Sequence, residues 1–330
     1  MTTDGRLNKL ISDSVLWDSH AGIFPDAKSD LSGLELWVRN GFSFLSVNIA
    51  FDLLPWQQAI GTLAAYRAWI VSHPETYVLV DKVDDVVRAK RDRKLAVSFD
   101  IEGMNALNGD INMVQLYHAL GVRQMLFAYN LNNAAGGGCH DRDVGLTDFG
   151  RAVVKEMNRV GMLVDCSHSA YRTTMEAMEI SSAPVIFSHS NPTSVCNHGR
   201  NIRDDQIKAC AATGGVIGIN GLGIFLGDND ISTKTIARHI NYLVDLVGAR
   251  HVGLGFDYAP PDDIDLGTIL RGRPDFWPAG QRYDTPDIKV ASPSQITELV
   301  EALLKGGYSD VDISGILGGN FRRVASQVWH

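Results

Sequence analysis

The sequence predicts a single-domain (β/α)8 barrel of the TIM type, and three observations predict it. Apolar, strand-like runs alternate with helical periodicity about eight times along the 330 residues. These runs are continuously apolar, as strands buried on both faces of a sheet must be. All eight of them end in polar side chains, and in such barrels the chemistry sits at the carboxyl ends of the strands. Alternating β and α units imply parallel strands joined by crossover helices, and eight units suggest closure. The length does not demand a second domain, since barrels of this type often run to about 250 residues or more as one.

The expected strands are 14–20, 42–50, 94–102, 122–130, 162–168, 183–189, 214–220 and 251–257. Their ends read His20, Asn48, Glu102, Tyr129-Asn130, His168, His189, Asn220 and Asp257. A helix is expected over 147–160, where Phe149, Val153, Val154, Met157 and Val160 recur at helical spacing. Thr147-Asp148 supplies its N-cap and Gly161 stops it. Another helix, near 203–213, opens with Asp204-Asp205 and ends at Gly214-Gly215. Pro260, Pro261, Pro274, Pro278 and Pro286 punctuate a long irregular loop over 259–292, after the eighth strand. It is either a cap over the barrel mouth or a passive surface excursion.

Composition removes several classes of function. Hydrophobic content of 45% and charged content of 21% fit a soluble globular protein with a large core. A net charge of −8 without a basic stripe argues against a nucleic-acid partner. No apolar stretch approaches the roughly 18 residues of a membrane span, and Met1-Thr2-Thr3-Asp4-Gly5-Arg6 is no secretory leader. Cys139, Cys166, Cys196 and Cys210 lack C-x-x-C spacing, so a reduced, cytoplasmic setting is the simpler expectation.

His20, His168 and His189 with Glu102 and Asp257, all at strand ends, are the donor types that hold zinc and similar divalent ions. A carboxylate such as Glu102 can bridge two ions, and Asp257 is placed to hold a proton in a hydrolytic cycle. A strand-end histidine taken singly is more often structural, and Asp257 taken singly could cap a loop. Gly136-Gly137-Gly138 lacks the ending of a phosphate loop and is expected to be a flexible turn. Cys139-His140-Asp141 beside it is a weaker candidate for an auxiliary ligand. His73, His118, His198, His239, His251 and His330 are expected on the surface or in packing, and Cys166 in the core.

Several long segments carry a resemblance. One opens with Gly145-Leu146-Thr147-Asp148-Phe149-Gly150 and runs through Val154–Met162 to Leu163-Val164-Asp165-Cys166-Ser167-His168. Others are Ala183–Ser190, Arg200-Asn201-Ile202-Arg203-Asp204-Asp205 and the closing Gly318-Gly319-Asn320-Phe321-Arg322-Arg323-Val324. With Asp18-Ser19-His20 they make the chain resemble the membrane dipeptidase (renal dipeptidase) family of the amidohydrolase superfamily, as a divergent bacterial-type member, over nearly its whole length. The resemblance implies a barrel with a binuclear zinc site: Glu102 bridging, His20 on the first ion, His168 and His189 on the second, and Asp257 carrying the proton. It also implies that Arg200 meets a substrate carboxylate, which a guanidinium fork suits. A homodimer is a further implication.

Two departures set this chain apart from the family pattern. The first motif, His-x-Asp in the family, is His20-Ala21-Gly22 here, so the carboxylate of the first metal is missing. Asp18 lies deeper on the same strand face, and Asp26 and Asp30 could compensate only if their loop folds inward. The first metal site is therefore expected to be weak or empty, leaving one ion at Glu102, His168 and His189. At the fourth strand the family's Thr-His-Asn is Ala128-Tyr129-Asn130, and a tyrosine hydroxyl could still donate to an oxyanion. The expected activity is metal-dependent hydrolysis of a dipeptide or related small amide with a free carboxylate. The alternatives are a relative shifted to another small amide or ester, and a metal-binding homologue whose hydrolytic activity has lapsed.

Overall fold

The computed structural model describes residues 3–260 and 266–329. Met1, Thr2, Pro261 and His330, singled out above, lie outside the described residues. Nine strands are described: β1 Trp17–Ala21, β2 Phe44–Phe51, β3 Tyr77–Leu79, β4 Leu95–Glu102, β5 Val122–Leu126, β6 Leu163–Asp165, β7 Val185–Ile186, β8 Ile217–Ile219 and β9 Val252–Leu254. Every pairing between them is parallel, in the order β1-β2-β4-β5-β6-β7 with β8-β9 separate. The ring is completed by two links. Phe187 bridges to Ile217, joining β7 to β8. The Asp257 amide donates to the His20 carbonyl at 3.0 Å, joining the chain beyond β9 to β1. Eight staves thus close a barrel, each matching one expected strand.

The ninth strand, β3, was not expected. It pairs Tyr77–Leu79 with Leu95–Val97 at the start of β4, while β5 takes the later part of the same edge from Phe99 onward. Three residues, only the first of them buried, are too few to display a period. The ladders of β6 to β9 are also shorter than the apolar runs that announced them. There the chain leaves the ladder early, so that His168, His189 and Asp257 stand on bent backbone beyond the last strand bond. The helix Asp148–Val160 falls where periodicity placed it, with Thr147 Oγ1 capping the Gly150 amide and Gly161 at φ +84° ending it. The helix Asp204–Ala212 likewise stops before Gly214, at φ +84°.

All eight residues of β2 and of β4 are buried. The bottom of the barrel is plugged by the C-terminal helix Asn320–Val328, whose Phe321 packs with Trp17, Phe44 and Trp329. Strands approach closely where glycine permits it. A Cβ on Gly218 or on Gly255 would stand 2.0 Å from the Ser188 carbonyl oxygen. Ser19 Oγ fills the space between them, against the Ser188 and Leu254 carbonyls.

The long segment after β9 is not wholly irregular: it contains a helix, Leu266–Gly272, and a 3-10 turn, Ala279–Gln281. Its Leu270, Phe276, Trp277 and Tyr283 pack with Phe51, Ile224 and Phe225 over the carboxyl ends of the strands. Asn130 Nδ2 donates to the Phe276 carbonyl at 2.9 Å, and the Gly199 amide donates to Gln281 Oε1 at 2.8 Å. Of the two readings of this segment, the cap is the one that holds. Gly136-Gly137-Gly138 is a turn, but a packed one, with backbone or side-chain atoms within 3 Å of where each Cβ would be.

The two kinds of glycine lead to opposite expectations. Gly61 lies exposed in the helix Trp56–Ser72 with nothing within 4 Å of an added Cβ. Gly61→Ala should raise unfolding free energy by about 0.5–1 kcal/mol through helix propensity. Gly218→Ala should lower it by about 1–3 kcal/mol or more through overpacking, as urea midpoints would show.

Candidate metal centre

The polar strand ends converge at one mouth. His20 lies within β1, and Glu102 is the last residue of β4. His168, His189 and Asp257 follow β6, β7 and β9. Asn130, His168 and Asp257 have left-handed backbones, at φ +61°, +60° and +57°. Such conformations are uncommon outside glycine and concentrate where side chains must be aimed. They turn their side chains back over the barrel axis.

The geometry centres on one oxygen. Glu102 Oε1 lies 3.1 Å from His168 Nε2, 3.2 Å from His189 Nε2 and 3.7 Å from His20 Nε2. The two imidazole nitrogens of His168 and His189 are 3.0 Å apart. The His20 and His189 rings stack with centroids 4.0 Å apart. Donor atoms of His20, Glu102 and His189 all fall within 4.8 Å of one another. On the far side of His20, Asp257 Oδ1 is 3.4 Å from Nε2.

What lies behind each ring fixes which nitrogen faces inward. Asn130 Nδ2 is committed to the Phe276 carbonyl, so its Oδ1 accepts from His168 Nδ1 at 2.8 Å. Ser188 Oγ donates to Asp165 Oδ2 and therefore accepts from His189 Nδ1, at 2.6 Å. Asp100 Oδ1 accepts from His20 Nδ1 at 3.2 Å, while Asp100 Oδ2 takes the Ser46 hydroxyl at 2.6 Å. These tautomers, assigned from the network, leave His168 and His189 with lone pairs aimed at each other and at Glu102 Oε1. Three electron-rich atoms 3.0–3.2 Å apart would repel in a buried site. Around a tetrahedral ion with bonds of about 2.0–2.1 Å, ligand atoms lie roughly 3.3 Å apart. The residues present fit such an ion.

Electrostatics point the same way. Burial, with the Asp257 and Asp100 carboxylates adding to it and His20 opposing, pushes Glu102 up to about 8. Burial holds His168 and His189 well below the ordinary histidine range, with Arg200 and His20 contributing. For His20 burial acts downward too, but the Asp100 and Glu102 carboxylates outweigh it and hold it well above that range. Positive charge is therefore favoured beside His20 Nε2. A proton there finds only a long contact, to Asp257 Oδ1 at 3.4 Å, and neither Nε2 nor Glu102 Oε1, both buried, makes a well-formed hydrogen bond. A divalent ion would satisfy both.

The structure thus brings His20, Glu102, His168, His189, Asp257 and Tyr129 to one mouth. Tyr129 stacks on His168 with centroids 4.3 Å apart, and its hydroxyl accepts from Trp277 Nε1 at 3.2 Å. Burial, reinforced by Glu102, holds its hydroxyl well above its ordinary pKa, so it remains a donor. Arg200 lies beyond His189 and is buried, donating to Ser190 Oγ at 3.0 Å and to the His189 carbonyl at 2.8 Å. Its Nε has no partner. Asp18 is committed to Trp37 Nε1 and the Phe256 amide. Asp26 binds the Lys28 amide and Asp30 caps a turn, so neither turns inward. Cys139 Sγ donates to Asn130 Oδ1, His140 Nε2 bonds the Tyr283 hydroxyl, and the Asp141 carboxylate accepts from the Asn132 and Arg142 amides, so none of the three is turned to the centre. His198 and His239 are buried, and each hydrogen-bonds a backbone carbonyl.

Sequence reasoning overlooked the orienting residues: Asp100, Asp165 and Ser188, and the part Asn130 plays. Asp100 had a signal, since it lies two residues before Glu102 on the same strand face. Asp165 lies within the segment that carries the family resemblance, but nothing in its sequence neighbourhood marks its bond to Ser188.

The membrane dipeptidase family (peptidase family M19) matches residues 43–267. An uncharacterised dipeptidase of Schizosaccharomyces pombe is 35% identical over 269 residues, 78% of this chain and 59% of that protein. Dipeptidase aclJ of Aspergillus oryzae is 32% identical over 236 residues, 70% of this chain and 51% of that protein. The chain thus matches little more than half the length of these relatives. Among solved structures, an amidohydrolase from Pseudomonas aeruginosa superposes with a TM-score of 0.89 at 27% identity, covering 98% of this chain and 99% of that one.

The relay behind His189 is directly testable. In Asp165→Asn an amide N–H would meet Ser188 Oγ, reverse the relay and put the proton of His189 on Nε2. Metal affinity, measured by competition with a chelator, should fall about 10–100-fold although no ligand has been removed. Unchanged affinity would show that the relay does not set the tautomer.

Proposed function

We propose that this chain, which belongs to the membrane dipeptidase family, is a metal-dependent hydrolase. Its substrate would be a dipeptide or related small amide with a free carboxylate and an apolar side chain. The observation that carries this reading is the convergence of buried, unprotonated imidazole nitrogens on Glu102 Oε1 at the floor of an apolar mouth. Zinc suits the donor set of imidazole and carboxylate. When bound, such an ion polarises a carbonyl and makes water acidic enough to attack at neutral pH.

The chain's own residues take the remaining tasks. Asp257 stands at the edge of the site, its Oδ2 held by Asn220 Nδ2 at 3.0 Å, and is the group to accept the water proton and return it to the leaving amine. The Tyr129 hydroxyl, kept protonated, donates to the carbonyl oxygen as negative charge develops there. Two cavities meet at His168. One, of about 310 Å³, is walled by Phe51, Leu270, Trp277 and Ile288 and reaches Glu102 and Asp257. The other, of about 360 Å³, is polar and holds Arg200. A substrate with an apolar end and a carboxylate end fits across the two. Arg200 has N–H groups free, Nε among them, for that carboxylate. Among the described residues no helix is long and apolar enough to cross a membrane. A reducing, cytoplasmic setting is supported by buried free thiols at Cys166, Cys196 and Cys210.

Chelator-treated protein should be inactive on apolar dipeptides and recover when zinc is returned. Amidating the substrate's carboxyl terminus, or Arg200→Met, should each reduce kcat/KM by about 10–100-fold, and the two losses should not add, because both remove the same contact. Tyr129→Phe should lower kcat about 100-fold with little change in KM. No metal-dependent turnover on any apolar dipeptide would sink this reading.

A further inference from the structure

Gly22 follows β1 directly, and its φ is not in the left-handed region, so the position demands glycine for space and not for conformation. A Cβ there would stand 2.4 Å from Asp257 Oδ1 and 2.9 Å from the Asp257 carbonyl oxygen. No side chain fits while Asp257 lies where it does. The room that a larger residue would occupy is taken by one residue, Asp257, with its carboxylate closest and its backbone carbonyl behind it.

That carboxylate is held in place from several sides. The Asp257 amide is bonded to the His20 carbonyl at 3.0 Å, which locks the two strand ends together. The left-handed backbone at φ +57° turns the side chain inward. Asn220 Nδ2 fixes Oδ2 at 3.0 Å, leaving Oδ1 at 3.4 Å from His20 Nε2. Glu102 Oε1 is 3.7 Å from the same nitrogen and has no hydrogen-bond partner. These separations again approach the roughly 3.3 Å between neighbouring ligands of a tetrahedral ion. His20 Nε2 thus stands between two carboxylate oxygens, at 3.4 Å from Asp257 Oδ1 and 3.7 Å from Glu102 Oε1.

We propose that Asp257 Oδ1 is the carboxylate ligand of a first metal position shared with His20 and Glu102, and that Gly22 is the residue that admits it. The carboxylate absent after β1 is thereby supplied from the chain beyond β9, its neighbour around the ring, and the expectation of a single ion is reversed: the chain binds two. The proposal rests on the metal reading of this site and not on the identity of the substrate.

Loss of turnover in an Asp257 variant cannot decide the matter, since a proton carrier and a ligand would both be lost. Metal content can. Full-length protein freed of metal with a chelator is titrated with zinc by equilibrium dialysis and elemental analysis. Wild type should bind two ions per chain. Asp257→Asn, nearly isosteric, should keep one at unchanged affinity and bind the other at least about 100-fold more weakly. Gly22→Asp combined with Asp257→Ala, which moves the carboxylate across the gap, should recover the second ion and covers the case in which the single variant misfolds. One ion in wild type, or two at wild-type affinity in Asp257→Asn, overturns the proposal. So does loss of both ions from a folded Asp257→Asn, or failure of the folded double variant to recover the second. No ion in wild type would overturn the metal reading as well.

Discussion

Lone pairs that face one another in a buried site repel unless positive charge stands between them, and the mouth of this barrel is built around that repulsion. His168 Nε2, His189 Nε2 and Glu102 Oε1 lie within 3.0–3.2 Å of each other. In water, solvent would separate or screen them. Here burial raises the cost of each unpaired polar atom, and positive charge, as a proton or a metal ion, relieves it. The same burial that pushes Glu102 up to about 8 gives the site its preference for a positive partner. The barrel keeps the repelling atoms together because their positions follow from strand ends whose other contacts are already satisfied.

Keeping them together requires the far side of each ring to be held. Asp100 behind His20, Ser188 with Asp165 behind His189, and Asn130 behind His168 do this, each with its remaining hydrogen-bonding capacity committed elsewhere. Such outer partners orient a ligand ring and choose its tautomer. Asn130 has a second task. One end of its amide aims His168, while the other holds the Phe276 carbonyl of the cap, so cap and centre share a hinge of one side chain.

Much of this was legible in the sequence, and what was not has definite causes. The eight barrel strands were visible because parallel strands buried on both faces are continuously apolar. The five residues His20, Glu102, His168, His189 and Asp257 were visible because a barrel gathers its strand ends at one mouth. Strand β3 was hidden by its length of three residues. Asp100 left a trace in its two-residue spacing from Glu102, but Asp165 was hidden because a carboxylate inside a strand shows its partner only in three dimensions. Gly22 was legible as a missing carboxylate but not as the space for another, since Asp257 comes from the far end of the chain and leaves no local trace. In 259–292 the prolines announced irregular backbone, yet they gave no sign that Phe276, Trp277 and Tyr283 would turn inward and make an apolar wall.

A barrel distributes these tasks unevenly, and that bears on how such a site can change. The proposed ligand atoms come from strand ends, whose positions are tied to the closure of the sheet, while the apolar wall of the proposed substrate cavity comes largely from the segment after β9. Changes in that segment can alter what is bound without moving Glu102 or the imidazoles. The ligand set has its own freedom, of a different kind. Because all eight strands deliver their ends to one place, a donor lost from one strand can be replaced from its neighbour around the ring. The replacement needs only that the vacated position stay small and the incoming backbone bend inward. Gly22 meets the first condition and the left-handed Asp257 meets the second.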